Sequence, residues 1–169
     1  MDYKRRMDIP LLDQAKIQAD VLVPVLRAFR AELGEERANR IAWQALAGWR
    51  QSVARAAASE FPGSPREKWA AVTAAALPAI GDAVDVKVLE QSDEAMDFDI
   101  TGCRFAQFFR ELAEPELGFA LLCSFDTTQA EEIGAGEVKF TRTGTIMQGA
   151  DHCDFRYVLK NTAPTRERS

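Results

Sequence analysis

Apolar residues recur at helical spacing in the first half of the chain and at alternate positions in much of the second. Ile17, Val21, Val25 and Phe29 fall four apart, with Leu22 and Leu26 beside them. That spacing predicts a helix over about 11–33 with these residues as its apolar stripe. Gly34 reads as its C-cap, because glycine tolerates the left-handed conformation. A second helix is predicted over about 35–58, with Trp43, Leu46, Trp49 and Val53 on its apolar face, and the two should form an antiparallel hairpin. Phe61-Pro62-Gly63-Ser64-Pro65 breaks the pattern. Ser64 and Glu67 have capping-box spacing, and Pro65 suits a first helical position. A third, alanine-rich helix is therefore expected over about 65–79, closed by Pro78 and Gly81.

The period then changes to two. Val84, Val86 and Val88 alternate with polar residues, as do Phe98 and Ile100, predicting two strands joined near 91–94. Phe105, Phe108, Phe109 and Leu112 restore helical spacing, and Pro115 opens another helix through Leu117, Phe119, Ala120 and Cys123. Residues 127–136 read as irregular. Val138 and Phe140 open a third strand with room to continue to Met147. Cys153, Phe155, Tyr157 and Leu159 share one face of a fourth. The expected class is α+β: an N-terminal helical hairpin plus an antiparallel four-stranded sheet, built from two β-hairpins and covered by helices. A single domain is expected over 1–160, its helical part about 11–80 and its α/β part about 84–160, with 161–169 a disordered tail.

Composition narrows the functional classes. A chain of 169 residues, 47% hydrophobic and 28% charged, suits one soluble domain with a real core. The net charge of −5, with basic residues scattered apart from Lys4-Arg5-Arg6 and the tail around Arg166 and Arg168, argues against nucleic acid as a partner. No apolar stretch reaches the roughly 20 residues that span a bilayer, so no membrane partner is expected. The first residues do not read as a secretory signal. A cytoplasmic setting follows as the expectation, with Cys103, Cys123 and Cys153 reduced. Apolar residues on the first two helices, the tryptophans included, leave a homodimer open.

Standard catalytic signatures are missing. The sequence holds no glycine-rich phosphate loop, no Gly-x-Ser-x-Gly and no Cys-x-x-Cys, and its single histidine is His152. The cysteine spacing does not match a zinc ribbon, so no cofactor is expected. The alternative is zinc held by the three thiols with Asp126 or His152.

Cys103 follows Thr101-Gly102 at a strand-to-helix junction. With Thr101 as N-cap, Cys103 falls in the first turn, where free amides and the helix dipole favour a thiolate; a buried structural cysteine is the competing reading. Cys123, near the end of the next helix, is less well placed. Asp126 either shares its face, faces the sheet edge from a loop, or is simply solvated. Alternation puts Arg142 on the apolar face with Val138 and Phe140. There it needs a partner, either Asp126 in a structural ion pair or a substrate carboxylate. Cys153 and Tyr157 share a strand face, and His152, on the other, reads as a surface residue.

Together, Cys103 with an aromatic two residues later, Glu116-Leu117-Gly118, Cys123, Asp126, Arg142-Thr143, Thr145, Gly149 and Cys153-Asp154-Phe155-Arg156-Tyr157 resemble the L-2-amino-thiazoline-4-carboxylic acid hydrolase family over about residues 97–160. The resemblance implies hydrolytic opening of a thiazoline ring to give N-carbamoyl-cysteine. It implies catalytic roles among Cys103, Cys123, Asp126 and Cys153, with Arg142, Thr143 and Tyr157 binding a small-molecule substrate. Arg142 would hold the carboxylate, Asp126 would pair with the amidinium, and a cysteine, Cys103 first, would attack the C=N carbon or assist the attacking water. Tyr157 or Asp126 would handle a proton. The competing classes are a metal or small-ligand sensor, and a non-catalytic protein docking through its helical hairpin.

Overall fold

The structure is a computed structural model describing residues 8–160. The basic cluster at Lys4-Arg5-Arg6 and the expected tail at 161–169 lie outside the described residues. Helix α1 spans Leu11–Leu33 and α2 spans Glu35–Ser59, joined by Gly34 alone at φ 78°. Helix α3, Pro65–Ile80, begins with the expected capping box, Ser64 accepting from the Glu67 amide and Glu67 from the Ser64 amide. It ends on Gly81 at φ 53°, with Pro78 inside the helix rather than closing it.

The sheet follows. Strands β1 (Val84–Gln91) and β2 (Ala95–Cys103) form one hairpin, β3 (Val138–Thr141) and β4 (Cys153–Leu159) the other, and they meet through β2 and β4 in the antiparallel order β1-β2-β4-β3. Between the hairpins lie α4 (Arg104–Glu111) and a continuous helical run made of α5 (Pro115–Gly118), a π turn (Phe119–Cys123) and α6 (Ser124–Glu132). The α+β class and the two-hairpin sheet are as expected from the sequence. No helix among the described residues is long and apolar enough to cross a membrane.

Four local expectations are corrected. The buried face of α1 is Ala15, Ala19, Val23 and Leu26, while Ile17, Val21, Val25 and Phe29 stay exposed. Small alanines let α1 approach its neighbours closely, so packing distance rather than side-chain size chose the face. Residues 127–132 are helical, not irregular. Their polar surface hides the signal, which is carried by the buried pair Ala130 and Ile133. The third strand stops at Thr141 and does not reach Met147, because the Asp154 carboxylate draws the Thr143 and Gly144 amides out of the ladder at 2.9–3.0 Å. Finally, β2 keeps its pairing as far as Cys103, opposite Val84. Thr101 is therefore a strand residue, and Cys103 itself is the N-cap of α4.

Two apolar clusters hold these elements together. One packs the β4 residues Cys153, Phe155, Tyr157 and Leu159 against Trp69 and Val72 of α3 and Ala54 and Ala57 of α2. The other joins α1 and α2 to Phe109 and Leu117, with Trp43 and Trp49 partly buried against it. Glu114, between α4 and α5, is 4% exposed yet paired, accepting from Arg30 at 2.7 Å and Arg27 at 3.1 Å. That ion cluster pins α1 to the segment that leads into the π turn.

Candidate active site

A cavity of about 570 Å³ lies at the junction of the two clusters. Its wall includes Cys103, Cys123, Asp126, Arg142, Cys153 and Tyr157. Chain segments spread over residues 103–157 thus deliver all three thiols, the carboxylate, the guanidinium and the phenol to one hollow.

Local structure explains each placement. Cys103 ends β2 and caps α4, its Sγ accepting from the Ala106 amide at 3.4 Å. Cys123 closes the π turn, and Asp126 follows in the first turn of α6. A π turn shifts the helical register by a residue and is frequent at functional sites. Here Ser124 Oγ and the Arg50 guanidinium both donate to the Ala120 carbonyl within the turn. Cys153 opens β4, and its Sγ accepts from the Ile146 amide at 3.2 Å.

Arg142 stands just beyond β3 with its side chain 8% exposed. It donates to Asp126 Oδ2 at 2.7 Å and to the Cys123 carbonyl at 2.9 Å. Its guanidinium carbon lies 5.0 Å from the centre of the Phe155 ring and 5.4 Å from that of Phe140, close enough for cation–π attraction. Of the two partners open to Arg142 on sequence grounds, the structure shows Asp126. Three of the five guanidinium N–H groups remain beyond those two bonds.

Electrostatics divides the site. Burial pushes the Asp126 carboxyl up to about 6, against the opposing pull of Arg142. Burial also raises all three thiols. For Cys103 the rise is opposed by the Ala106 and Phe105 amides and by Arg110, and for Cys153 by the Ile146 amide and Arg142. For Cys123 burial and the Asp126 charge are opposed by Arg142 but by no amide donor, and the thiol is raised far above the ordinary range. The sequence expectation of an acidified Cys103 is thus corrected: the helix-terminal amides moderate the shift, and desolvation outweighs them. Tyr157, stacked 4.7 Å from Phe140 and 4.9 Å from Trp69, is also raised by burial. It is a proton donor rather than a phenolate at neutral pH.

A family description matches residues 14–157, most of the chain: L-2-amino-thiazoline-4-carboxylic acid hydrolase. The chain belongs to that family. A search of curated proteins finds no match to it. Membership in the L-2-amino-thiazoline-4-carboxylic acid hydrolase family extends the likeness read from residues 97–160 across the N-terminal helices, which carried no diagnostic motif.

The family pattern is not confined to the cavity. Thr143 stands apart, its amide and hydroxyl both donating to Asp154, on the wall of a separate groove of about 390 Å³ that also touches Arg142. Arg156 donates to Asp99 at 2.8 Å, tying β4 to β2. His152 is exposed, as expected. Among the described residues, no group of three or more His, Cys, Asp or Glu side chains is arranged to hold a metal ion.

Sequence reasoning missed Gln129 and Thr73, which meet on the cavity wall at 3.4 Å. Gln129 lies three residues after Asp126, the spacing that puts two side chains on one helix face. That signal was hidden once 127–136 was read as irregular.

The Asp154 clamp makes a prediction of its own. Burial alone would raise this carboxyl, but the Gly144 amide and the Thr143 amide and hydroxyl outweigh it and hold it at about 2. A folded-state value below the unfolded one gives stability that is present above about pH 4 and lost as pH falls toward 2. Asp154→Asn should therefore lower stability at pH 7 and flatten the acid limb of a stability–pH curve. An unchanged acid limb contradicts the clamp.

Proposed function

We propose that the chain is a hydrolase that opens a small cyclic C–N/C–S substrate of the 2-aminothiazoline-4-carboxylate type, with Cys103 as nucleophile. The observation that supports this most is the single cavity shared by three thiols and the Asp126–Arg142 pair. Such a substrate carries a carboxylate and an amidine-like carbon. It can insert between the two side chains, exchanging one internal ion pair for two pairs with the ligand. Arg142 then takes the carboxylate through its unused N–H groups, and Asp126 orients the amidinium. The Cys103 sulfur bonds to the C=N carbon, the ring C–S bond breaks, and the released sulfur takes a proton. Water next adds to the same carbon and Cys103 departs, leaving a urea-type product with a free thiol. Asp126, titrating near 6, can carry the protons close to neutral pH. Tyr157 is a second donor. Thr143 acts through Arg142, fixing the chain one residue beyond it.

Incubation with L-2-amino-thiazoline-4-carboxylate should yield N-carbamoyl-cysteine, seen as a new thiol and a product one water heavier. No ring opening of this compound or its ring-substituted relatives counts against the reading. The pH dependence is also specified. Asp126 must be ionised to meet an amidinium, so kcat/KM should rise through about pH 6, and it should keep rising toward alkaline pH because the Cys103 thiol titrates above its ordinary value. Asp126→Asn should abolish the lower limb and leave the alkaline one. A flat wild-type profile between pH 5 and 7 excludes Asp126 from this role.

A further inference from the structure

The cavity is larger and more apolar than a bare thiazoline carboxylate needs. That molecule has about nine non-hydrogen atoms, and at about 30 Å³ for each, the share of a water in the liquid, it fills less than half of the 570 Å³ available. The register of the sheet shows where the remainder goes. On β1, Val84 stands opposite Cys103, Val86 opposite Ile100 and Val88 opposite Phe98. All six line the cavity. From Val84 to Val88 the strand advances about 13 Å, so an apolar gutter leads away from the Cys103 end along the free edge of the sheet. Helix α3 forms its other side through Leu77 and Ile80. Val86, Val88 and Leu77 remain 53%, 61% and 59% exposed, so the gutter opens to solvent and nothing within the described residues fills it.

We infer that the natural ligand is a carboxylate with an apolar extension of roughly ten further non-hydrogen atoms, its polar head at Asp126 and Arg142 and its tail along Val84, Val86 and Val88. This rests on the proposed function for the position of the head, and adds the class of substrate. The reacting ring then carries an alkyl or aryl substituent, and the gutter selects for it.

Straight-chain carboxylates test this without any turnover. Butyrate, hexanoate, octanoate and decanoate, below their aggregation limits, would be titrated calorimetrically into the full chain. Affinity should rise at least tenfold from hexanoate to decanoate. Val86→Asp, at an exposed edge position, should cost decanoate at least tenfold and leave hexanoate unchanged. Leu77→Gln on the opposite wall should do the same, and guards against a folding defect in the first variant. Arg142→Lys should weaken both acids alike. Equal affinity for all chain lengths overturns the extension, while a shared loss in Arg142→Lys would keep the head position and the proposed function intact. Chain-length dependence with no effect of Arg142→Lys places the head elsewhere and overturns both. A second copy of the chain seated on β1 would give a dimer that Val86→Asp dissociates and no decanoate binding, which also overturns the inference.

Discussion

Glu114→Ala is expected to lower the unfolding free energy by about 3 kcal/mol, the low end for breaking a buried ion pair. The melting temperature should fall by about 6 to 12 °C for a chain of this size. What is left behind sets the size of the effect. Glu114 is 4% exposed and Arg30 19%, so alanine strands a nearly buried guanidinium beside an empty space. Arg27, at 56%, can turn to water and adds little. Arg30 keeps its bond to Asn39 at 2.8 Å, which holds the effect to the low end. Glu114→Gln preserves volume and one acceptor and should cost about half as much. Chemical denaturation of the three proteins checks this, and a loss under about 1 kcal/mol in Glu114→Ala means that the cluster does not anchor α1. Since Glu114 opens the helical run that carries Cys123 and Asp126, the variant should also lose ligand affinity before it loses its fold.

Cys103→Ala is expected to reduce turnover at least about a thousandfold, as for removal of a covalent nucleophile, with little change in melting temperature because the side chain is only partly buried. Cys123→Ala should retain activity to within about tenfold. The difference follows from surroundings that look alike on paper. Both sulfurs face the same cavity and both feel the Asp126 charge and a nearby guanidinium, but Cys103 receives the Ala106 and Phe105 amides, whereas Cys123 has no amide and is the more deeply desolvated. Cys153 is the intermediate case, with one amide and Arg142 in its favour but only 5% of its surface exposed. Should Cys153→Ala be the dead variant and Cys103→Ala the active one, the nucleophile moves to β4 and the rest of the site stands.

Much of this architecture was legible from period alone. Helical and strand spacing located the main elements, and Ser64 with Glu67 and Pro65 fixed the start of α3 to the residue, because capping chemistry is local. Asp126 as a partner for Arg142 was also within reach, since a guanidinium on an apolar face must find an anion. What failed were features set by tertiary structure. The exposed stripe of α1 is as periodic as the buried one, and only the close approach allowed by Ala15 and Ala19 decides between them. The π turn has no sequence period of its own, so Cys123 was expected at a helix end and lies within a longer helical run. The extent of β2 depended on pairing with Val84, which moved the cap of α4 from Thr101 to Cys103. The cavity was least visible of all, because its valines on β1 are indistinguishable in sequence from core residues.

Ligand protection of the thiols tests the shared hollow most directly. The full chain would be treated with iodoacetamide with and without saturating decanoate or L-2-amino-thiazoline-4-carboxylate, and alkylation of each cysteine followed by peptide mass spectrometry. The rates at Cys103 and Cys123 should fall together, at least tenfold, and Arg142→Lys should remove the protection at both. Protection of one sulfur without the other, or of neither while ligand is bound, would contradict it.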